Sequence, residues 1–312
     1  MEWIPTSGRE LPRYSGIKTF FRLPIANNKN EDFDVGIFGV PFDGGTSYRP
    51  GCRFAPSLVR ECSSLGRGFH WSRGYSIFEK LKIADLGDCS TVPIDLEQTY
   101  QKIENYVLEL LSFNKKFLSV GGDHSITLPI LRALKKHLKV PINLIHFDAH
   151  LDTYPAAWGC EYHHGSFLRH AIEEGLIECK NSIQIGVRGP LAGSDDLLFV
   201  QKHQLKSFTI DDIRNKSIDE FVNLLPTFIN GPTYITYDID VLDPSCAPGT
   251  GTPVVGGLTT FEVQKIFRGL KIKNLVGGDV VEILPAYDFS QITALAGLDA
   301  LFEMLSLLAI NK

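Results

Sequence analysis

The sequence predicts an α/β protein of three layers, α/β/α, in which helices cover both faces of a mostly parallel central sheet. The first observation is that eight short apolar runs, rich in Val and Ile, alternate with segments whose apolar residues recur at helical spacing. The second is that strands separated by helices are joined by right-handed crossovers, which makes their sheet parallel. The third is that no repeat or change of composition marks a boundary, so we expect residues 1–312 to form one domain.

The strand candidates are the apolar runs themselves, and the helix candidates lie between them. The strands are expected at 34–40, 82–88, 116–122, 142–148, 182–187, 207–210, 233–239 and 274–283. The helices are expected at 55–64, 95–113, 125–138, 166–176, 218–228, 260–270 and 290–310. Residues 1–33 precede the first strand, and the aromatic, irregular part at 11–24 predicts an arm that packs on the core or on a neighbouring subunit.

Composition and charge exclude several classes of protein. The 31 basic and 36 acidic residues give a net charge of -5, so the chain has no electrostatic footprint for nucleic acid or an anionic membrane. The six scattered cysteines form no C-x-x-C pair, which predicts reduced thiols and a cytoplasmic protein. We find no leader-like N-terminus and expect no apolar run long enough to span a bilayer. The expected partner is a small molecule, with no membrane or nucleic acid.

Acidic and histidine side chains follow the apolar runs where four of the predicted strands end. These side chains are His124, Asp148, His150, Asp152, Asp238, Asp240 and Glu282. The carboxyl ends of parallel strands lie at one edge of a sheet, and residues at i and i+2 of an extended segment point to the same face. We therefore expect these groups to converge in one crevice, although they are far apart in the sequence.

The convergence of four aspartates requires a source of positive charge. Like charges in a partly desolvated crevice raise one another's pKa and destabilise the fold by several kcal/mol apiece. Two divalent ions would balance them, with His124 and His150 as neutral nitrogen ligands, so the sequence predicts a binuclear metal site. Oxygen-rich ligation with two imidazoles favours Mn²⁺ over Mg²⁺ and leaves Zn²⁺, Fe²⁺, Co²⁺ and Ni²⁺ open. Paired ions commonly lower the pKa of a shared water enough to make a nucleophile at neutral pH.

Long segments of the chain resemble the signature motifs of the ureohydrolase family, which includes arginase and agmatinase. The segments are "GGDHSITLP", "HFDAHLDTY", "YDIDVLDPSCAPGTGTPVVGGLT" and "GGDVVEILPAYD", and the likeness runs from about residue 38 to the C-terminal helix. Within the family the chain looks most like the agmatinase branch. The resemblance implies an arginase-like fold, two Mn²⁺ ions per subunit and a homotrimer or homohexamer.

The resemblance also implies how the six ligands divide between two metals. One metal would be bound by His124, Asp148, Asp152 and Asp238, and the other by Asp148, His150, Asp238 and Asp240. Two of the aspartates, Asp148 and Asp238, would then bridge the ions.

Three residues would carry the catalytic steps in a member of this family. Glu282 would hold the planar guanidinium of the substrate through paired, charge-assisted hydrogen bonds. Asp240 would help to hold the tetrahedral intermediate, and His164 of "EYHHGS" would deliver a proton to the departing amine. His163 and Thr252 are the further candidates for substrate binding. The products would be urea and a primary amine.

The substrate is less sharply defined than the reaction. The loop "TYPAAWGCEYHHG" lacks the Asn and Ser-Gly-Asn residues with which arginases read the head of arginine. Its "GCE" resembles agmatinases and favours agmatine, which would yield putrescine and urea. His163 stands where bacterial agmatinases often carry Asp, which keeps guanidinobutyrate, guanidinopropionate and guanidine as alternatives. Arg49, Arg53 and the loop 188–196 are the candidate readers of the substrate tail.

Two other classes of function stay open at this point. A catalytically silent relative could keep the metals for stability, but it would be expected to lose His164 and Glu282 first, and both are present. A single-metal amide deacetylase on a related scaffold would not need the second aspartate of "DID". Asp123, Asp243 and Asp279 are expected to support loops or to hydrogen-bond to ligands rather than to bind metal.

Overall fold

An eight-stranded parallel sheet forms the centre of the protein. The computed structural model describes residues 3–228, 230–310 and 312. The strands are β1 Val35–Val40, β2 Ile83–Asp88, β3 Lys116–Gly121, β4 Asn143–Phe147, β5 Ile183–Val187, β6 Lys206–Thr209, β7 Thr233–Asp238 and β8 Leu275–Val281. They follow the order β2-β1-β3-β8-β7-β4-β5-β6 across the sheet, and each neighbouring pair is parallel. All eight predicted strands are present.

Helices cover both faces of this sheet. Those in the described part of the chain are α1 Ala55–Ser63, α2 Ile77–Lys80, α3 Leu96–Ser112, α4 Thr127–Leu138, α5 Phe167–Glu173, α6 Asp195–Lys202, α7 Ile210–Arg214, α8 Ile218–Leu224, α9 Thr260–Gly269 and α10 Ile292–Ile310. One apolar core lies between the sheet and α1, α2 and α7 to α10, and a second lies between the sheet and α3 to α6. The predicted three-layer α/β/α architecture is confirmed.

The helices differ from prediction where turn residues end them early. The helix predicted at 218–228 ends at Leu224, because Pro226 disfavours helical backbone in the residue before it. The helix predicted at 166–176 ends at Glu173, shortly before Gly175 with its φ of 64°. Helices α2, α6 and α7 were not predicted, since segments of one or two turns are too short to show a clear period.

Helix α10 corrects one expectation from the sequence. By length and composition, Phe289–Ile310 could cross a membrane, although no apolar run was expected to be long enough. In the fold, 78% of its most apolar 18-residue stretch is buried inside the protein. A helix buried on nearly all sides has no need of a polar face, which accounts for the composition of α10.

The N-terminal arm lies across the core of its own subunit. Phe20 and Phe21 are buried there, and their N–H groups donate to the side chains of Asp85 and Ser63, both at 2.8 Å. The first two residues of the predicted arm lie outside the described part of the chain. Contact with a neighbouring subunit stays a prediction, and Tyr14, which is 85% exposed, is the part of the arm available for it.

Candidate active site

The carboxyl ends of β3, β8, β7 and β4 meet at the middle of the sheet and carry the predicted site residues. They bring together His124, Asp148, His150, Asp152, Asp238, Asp240 and Glu282. All of these side chains except His150 are buried. The strand order causes the convergence, because β3, β8, β7 and β4 are consecutive neighbours in the sheet. The crevice expected from the sequence is therefore present at the expected edge.

One ligand group surrounds the ring of His124. Its Nδ1 lies 3.1 Å from Asp148 Oδ2 and 3.1 Å from Asp152 Oδ2. A third carboxylate oxygen, Asp238 Oδ2, lies 3.2 Å from the same nitrogen. These four groups are the set that the family resemblance assigns to the first metal.

A second ligand group surrounds His150. Its Nδ1 lies 3.3 Å from Asp148 Oδ1 and 3.1 Å from Asp240 Oδ2. Asp148 therefore presents one carboxylate oxygen to each group, which is the arrangement of a bridging ligand. Asp240 is held by the Ala149 N–H, which donates to its Oδ1 at 3.1 Å and leaves Oδ2 turned toward the cluster.

The electrostatics of this cluster fit a cation. Burial raises the pKa of Asp238 well above its usual value, and the charges of Asp240 and Asp148 raise it further. Burial lowers the pKa of His124, but hydrogen bonds to carboxylates outweigh it and raise that pKa well above its usual value. Asp240 Oδ2 is buried and accepts no hydrogen bond from the described residues. Divalent cations would supply the charge that protons supply in the metal-free chain, so the donor set fits them.

Two of the site residues have left-handed backbone conformations. Asp152 has a φ of 50° and Glu282 a φ of 63°. Non-glycine residues rarely adopt this region, and such strain collects at functional sites, where surrounding structure holds it in place. The left-handed backbone at both positions thus directs the carboxylate into the crevice. In a regular strand conformation the side chain would point elsewhere.

His164 and Glu282 form a hydrogen-bonded pair beside the carboxylate cluster. His164 Nδ1 lies 2.8 Å from Glu282 Oε1, and the same oxygen accepts the His124 N–H at 3.0 Å. Burial alone would lower the pKa of His164, but the charge of Glu282 and its hydrogen bond raise that pKa to about 9. Glu282 Oε2 is buried and accepts no hydrogen bond in the described chain, which leaves it free for a ligand.

Ser47, on the loop after β1, contacts the other side of the His164 ring. Its Oγ lies 2.6 Å from His164 Nε2 and can accept a hydrogen bond from the protonated ring. Its N–H lies 3.2 Å from the same nitrogen and can donate to the neutral ring. A proton carrier alternates between these two forms, and Ser47 supports both. Ser47 was not predicted from the sequence, because a serine in a glycine-rich loop carries no distinguishing pattern.

A cavity of about 550 Å³ opens onto the cluster. The predicted site residues in its lining are His150, Asp152, Asp238, His163, His164 and Thr252. The ligands mark its inner end, and the segment 154–158 with the beginning of α6 forms its outer wall. Neither Arg nor Lys occurs among the residues described as lining it. The cavity has the size of a small-molecule site.

A tight turn holds Trp158 at the mouth of this cavity. Ala157 and Cys160 exchange backbone hydrogen bonds of 3.0 and 2.8 Å, and the two residues between them, Trp158 and Gly159, both have positive φ. The Trp158 ring is 77% exposed and meets the ring of His163 edge-on, with 6.0 Å between the centroids. An aromatic face therefore stands at the outer end of the cavity.

The predicted arginine readers of the substrate tail do not line the cavity, which corrects that hypothesis. Arg188 donates instead to the carbonyl oxygens of Asp240 and Val254, both at 2.7 Å, and so fixes the loops around the site. Arg53 pairs with an aspartate, and Arg49 stacks over a tyrosine ring. The loop 188–196 does reach the cavity, but through small and acidic side chains.

His146 lies directly against the cluster, although it was not among the site residues predicted from the sequence. Its Nε2 is 2.8 Å from Asp148 Oδ2, and it is close enough to His124, Asp148 and Asp152 to be counted in one ligand group with them. The apolar run "INLIHF" concealed it, since a single histidine inside a buried strand is usually a core residue.

Four aspartates and two imidazoles lie at the ends of the central strands of this parallel sheet, next to a cavity. This arrangement defines a class, the metal-dependent α/β enzymes. The model of the Arginase family matches residues 33–306. The chain therefore belongs to the arginase family, as the motifs predicted.

Individual relatives agree with the family match over nearly the whole chain. A guanidinopropionase of Pseudomonas aeruginosa is 41% identical over 307 residues, which cover 98% of this chain and 96% of the relative. An agmatinase of Sodalis glossinidius is 42% identical and covers 92% of this chain and 91% of the relative. The solved structure of proclavaminate amidinohydrolase from Streptomyces clavuligerus has a TM-score of 0.89 and 38% identity, with 96% of this chain and 100% of that chain covered. These similarities confirm an agmatinase-like ureohydrolase, an enzyme acting on C–N bonds of amidines.

Proposed function

We propose that the protein is a binuclear manganese ureohydrolase that cleaves agmatine to urea and putrescine. The observation that carries the choice of substrate is the charge of the cavity wall. Asp195 is exposed and lines the outer part, while Asp196 beside it is buried and lies 3.9 Å from Arg169. The residues described as lining the cavity include no Arg or Lys that could bind a carboxylate tail. A guanidino compound with a cationic tail matches this wall, whereas a guanidino acid would be repelled by it.

The metals of this proposal would occupy the two ligand groups at the inner end. The set His124, Asp148, Asp152 and Asp238 would hold one Mn²⁺, and the set Asp148, His150, Asp238 and Asp240 would hold the other. When bound, such a pair supplies Lewis acidity and lowers the pKa of a water into the working range.

Glu282 and His164 supply the groups that act on the substrate itself. Glu282 Oε2, which accepts no hydrogen bond in the described chain, is available to orient the planar guanidinium. Water that has lost one proton to the solvent attacks the guanidinium carbon, which forms a C–O bond and a neutral tetrahedral centre, and the remaining hydroxyl proton is lost to the solvent when the C=O bond of urea forms. His164, which Glu282 keeps largely protonated at neutral pH, then gives its proton to the departing amine nitrogen as the C–N bond breaks. Glu282 thus both binds the substrate and tunes the acid.

The outer end would bind the tail by charge and by aromatic contact. The exposed carboxylate of Asp195 would attract the distal ammonium, and the exposed face of Trp158 would cover it. Thr252 and His163 line the wall between the two ends, and the His163 ring is held by the carbonyl oxygen of Pro155 at 3.1 Å.

The proposal is tested by urea release from Mn²⁺-loaded protein with agmatine, guanidinobutyrate, guanidinopropionate, arginine and guanidine. Agmatine is expected to give the highest kcat/KM. Urea from none of the five would overturn the hydrolase itself. A higher kcat/KM for either guanidino acid than for agmatine would overturn only the proposal that the substrate has a cationic tail.

A guanidino acid is the second candidate, and His163 is the observation that favours it. Bacterial agmatinases often carry a carboxylate at this position, whereas His163, whose Nε2 donates to the carbonyl oxygen of Pro155, brings no negative charge to hold a distal ammonium. The similarity to the guanidinopropionase of Pseudomonas aeruginosa points the same way. The variant His163→Asp separates the two: it should raise agmatine turnover if the tail is cationic, and it should abolish turnover of a guanidino acid.

We further propose that the enzyme is a cytoplasmic homotrimer or homohexamer. The support for the compartment is that all six cysteines are free, as reducing conditions would keep them. The support for assembly is the family resemblance together with the exposed Tyr14 of the arm. Light scattering after size-exclusion chromatography checks the assembly, and a monomer would contradict it.

A further inference from the structure

A row of polar side chains crosses the sheet directly beneath the carboxylate cluster. It consists, in strand order β3, β8, β7, β4, β5 and β6, of Ser119, Asp279, Thr236, His146, Gln184 and Ser207, each in register with the next. All but Ser207 are buried. Residues in register on neighbouring strands project to the same face. Polar groups at these depths are costly unless they are hydrogen-bonded, so the row calls for an explanation.

The hydrogen-bond partners fix the direction of the row on its β6 side. Gln184 Nε2 lies 3.0 Å from the carbonyl oxygen of Leu151, which can only accept, so this atom is the amide nitrogen. Gln184 Oε1 accepts from Ser207 Oγ at 2.6 Å, in agreement with that orientation. The same amide nitrogen lies 3.1 Å from His146 Nδ1 and donates to it.

The orientation of Gln184 determines which ring nitrogen of His146 carries the hydrogen. Because Nδ1 accepts from Gln184, the hydrogen of the neutral ring is on Nε2. That nitrogen lies 2.8 Å from Asp148 Oδ2 and donates to it. Neither ring nitrogen then has a lone pair directed at the cluster, so His146 is not a metal ligand despite its proximity.

Hydrogen-bond partners also fix the hydrogen positions on the β8 and β7 side of the row. Asp279 accepts from the hydroxyls of Thr236 at 2.5 Å, of Tyr234 at 2.8 Å and of Thr127 at 2.9 Å. Because Thr236 donates to Asp279, it accepts from His124 Nε2, 2.8 Å away. The lone pair of His124 is thereby placed on Nδ1, the nitrogen that faces the three aspartates. The row thus sets hydrogen positions at two ligands.

We propose that His146, with its tautomer set by Gln184 and Ser207, is a positioning residue that holds the bridging carboxylate of Asp148. The hydrogen bond to Oδ2 and the His150 N–H, which donates to Oδ1 at 2.5 Å, fix both oxygens of Asp148 at once. Each oxygen is then kept directed at its own metal position. This inference rests on the metal centre of the proposed function. It implies that His146, Gln184 and Ser207 contribute to metal affinity although they do not bind the metals.

The test is a Mn²⁺ titration of the substrate-free protein, followed by electron paramagnetic resonance. Gln184→Met keeps the length of the side chain but removes the donor to His146. Loss of an outer hydrogen-bond partner of a metal ligand typically weakens binding by about 10–100-fold, and we expect a loss in this range with a smaller share of spin-coupled Mn²⁺ pairs. Ser119→Ala is the matched control, since Ser119 belongs to the same row but contacts no ligand, and it should bind like the wild type.

A milder variant keeps the inference testable if Gln184→Met does not fold. Ser207→Ala lies at the edge strand, removes the contact that holds Gln184 Oε1, and should weaken Mn²⁺ binding several-fold. Wild-type binding in whichever of the two variants folds would overturn this inference alone. A wild-type protein that binds no Mn²⁺ would overturn the metal centre itself and the inference with it. Melting curves of the metal-free proteins show which variants are folded.

Discussion

The two ends of the cavity are built in different ways. The inner end is made of strand ends, and its ligands Asp148, Asp238 and Asp240 are buried and held by main-chain N–H groups. The outer end is made of a tight turn and the beginning of α6, where Trp158 and Asp195 are exposed. Loops can change without disturbing the sheet that carries them. We therefore expect the metal ligands to be fixed mainly by the sheet and the choice of substrate to be made by the loops.

The largest effect is expected at the inner end. Asp148→Asn removes the charge of the residue that faces both ligand groups, so neither Mn²⁺ should stay bound under conditions that saturate the wild type. Urea release should fall by more than the roughly 10–100-fold typical of losing an outer partner of a ligand. Metal analysis and a urea assay measure both. Asp211→Asn, at an exposed position of α7, is the matched control, and full metal content in Asp148→Asn would contradict the bridging role.

The next effect concerns the proton carrier. His164→Gln keeps hydrogen-bonding groups near Ser47 and Glu282 but cannot deliver a proton. Loss of a general acid commonly lowers the rate by about 10²–10⁴-fold, and kcat should fall in that range while Mn²⁺ content stays at the wild-type level. Steady-state kinetics with metal analysis measure this. Unchanged kcat would assign proton delivery to another group, of which His163 is the nearest in sequence.

The pH dependence follows from the pair of His164 and Glu282. Because Glu282 raises the pKa of His164 to about 9, kcat should fall as the pH rises through that value. In Glu282→Gln the pKa should move down toward its ordinary value of about 6.5. Nuclear magnetic resonance titration of the metal-free protein measures it directly. An unshifted pKa in Glu282→Gln would show that the carboxylate is not the cause.

The same pair gives a stability prediction of defined sign. The pKa of His164 is higher in the folded state, so the pair's contribution to the free energy of unfolding is complete below about pH 6.5 and is lost as the pH rises through about 9. Melting temperatures of metal-free wild type and Glu282→Gln should therefore differ most at low pH and converge above pH 9, within the range where both fold. A constant difference across this range would contradict the assignment.

The contrast between the two ends also explains what the sequence could predict. The ends of parallel strands lie at one edge of the sheet, so the side chains that follow them converge. Four aspartates and two histidines in one crevice need cations to balance their charge, so the inner end could be inferred from the spacing of these residues. The role of Arg188 could not, because its partners are carbonyl oxygens, which every residue has. His146 and Gln184 were hidden inside apolar strands, where only the register of β4 and β5 brings them together. Helix α6 was missed because its two turns are too short to show a clear helical period.

The smallest effect is expected at the outer end. Trp158→Ala removes an exposed ring that we expect to cover the substrate tail. A cation–π contact at an exposed site contributes about 0.5–1 kcal/mol, so the KM for agmatine should rise about 2–5-fold with kcat nearly unchanged. Trp71→Ala is the matched control, since Trp71 is 90% exposed but is not part of the cavity lining.

Comparing agmatine with guanidinobutyrate shows whether Trp158 binds the ammonium of the tail or only excludes water. A ring that merely excludes water would raise the KM of agmatine and guanidinobutyrate alike, whereas a ring that binds an ammonium would affect agmatine alone. Parallel kinetics with both compounds on Trp158→Ala and Trp158→Phe separate the two, because Phe keeps an aromatic face. Equal changes for both compounds would leave recognition of the tail to Asp195, and would limit Trp158 to closing the cavity mouth.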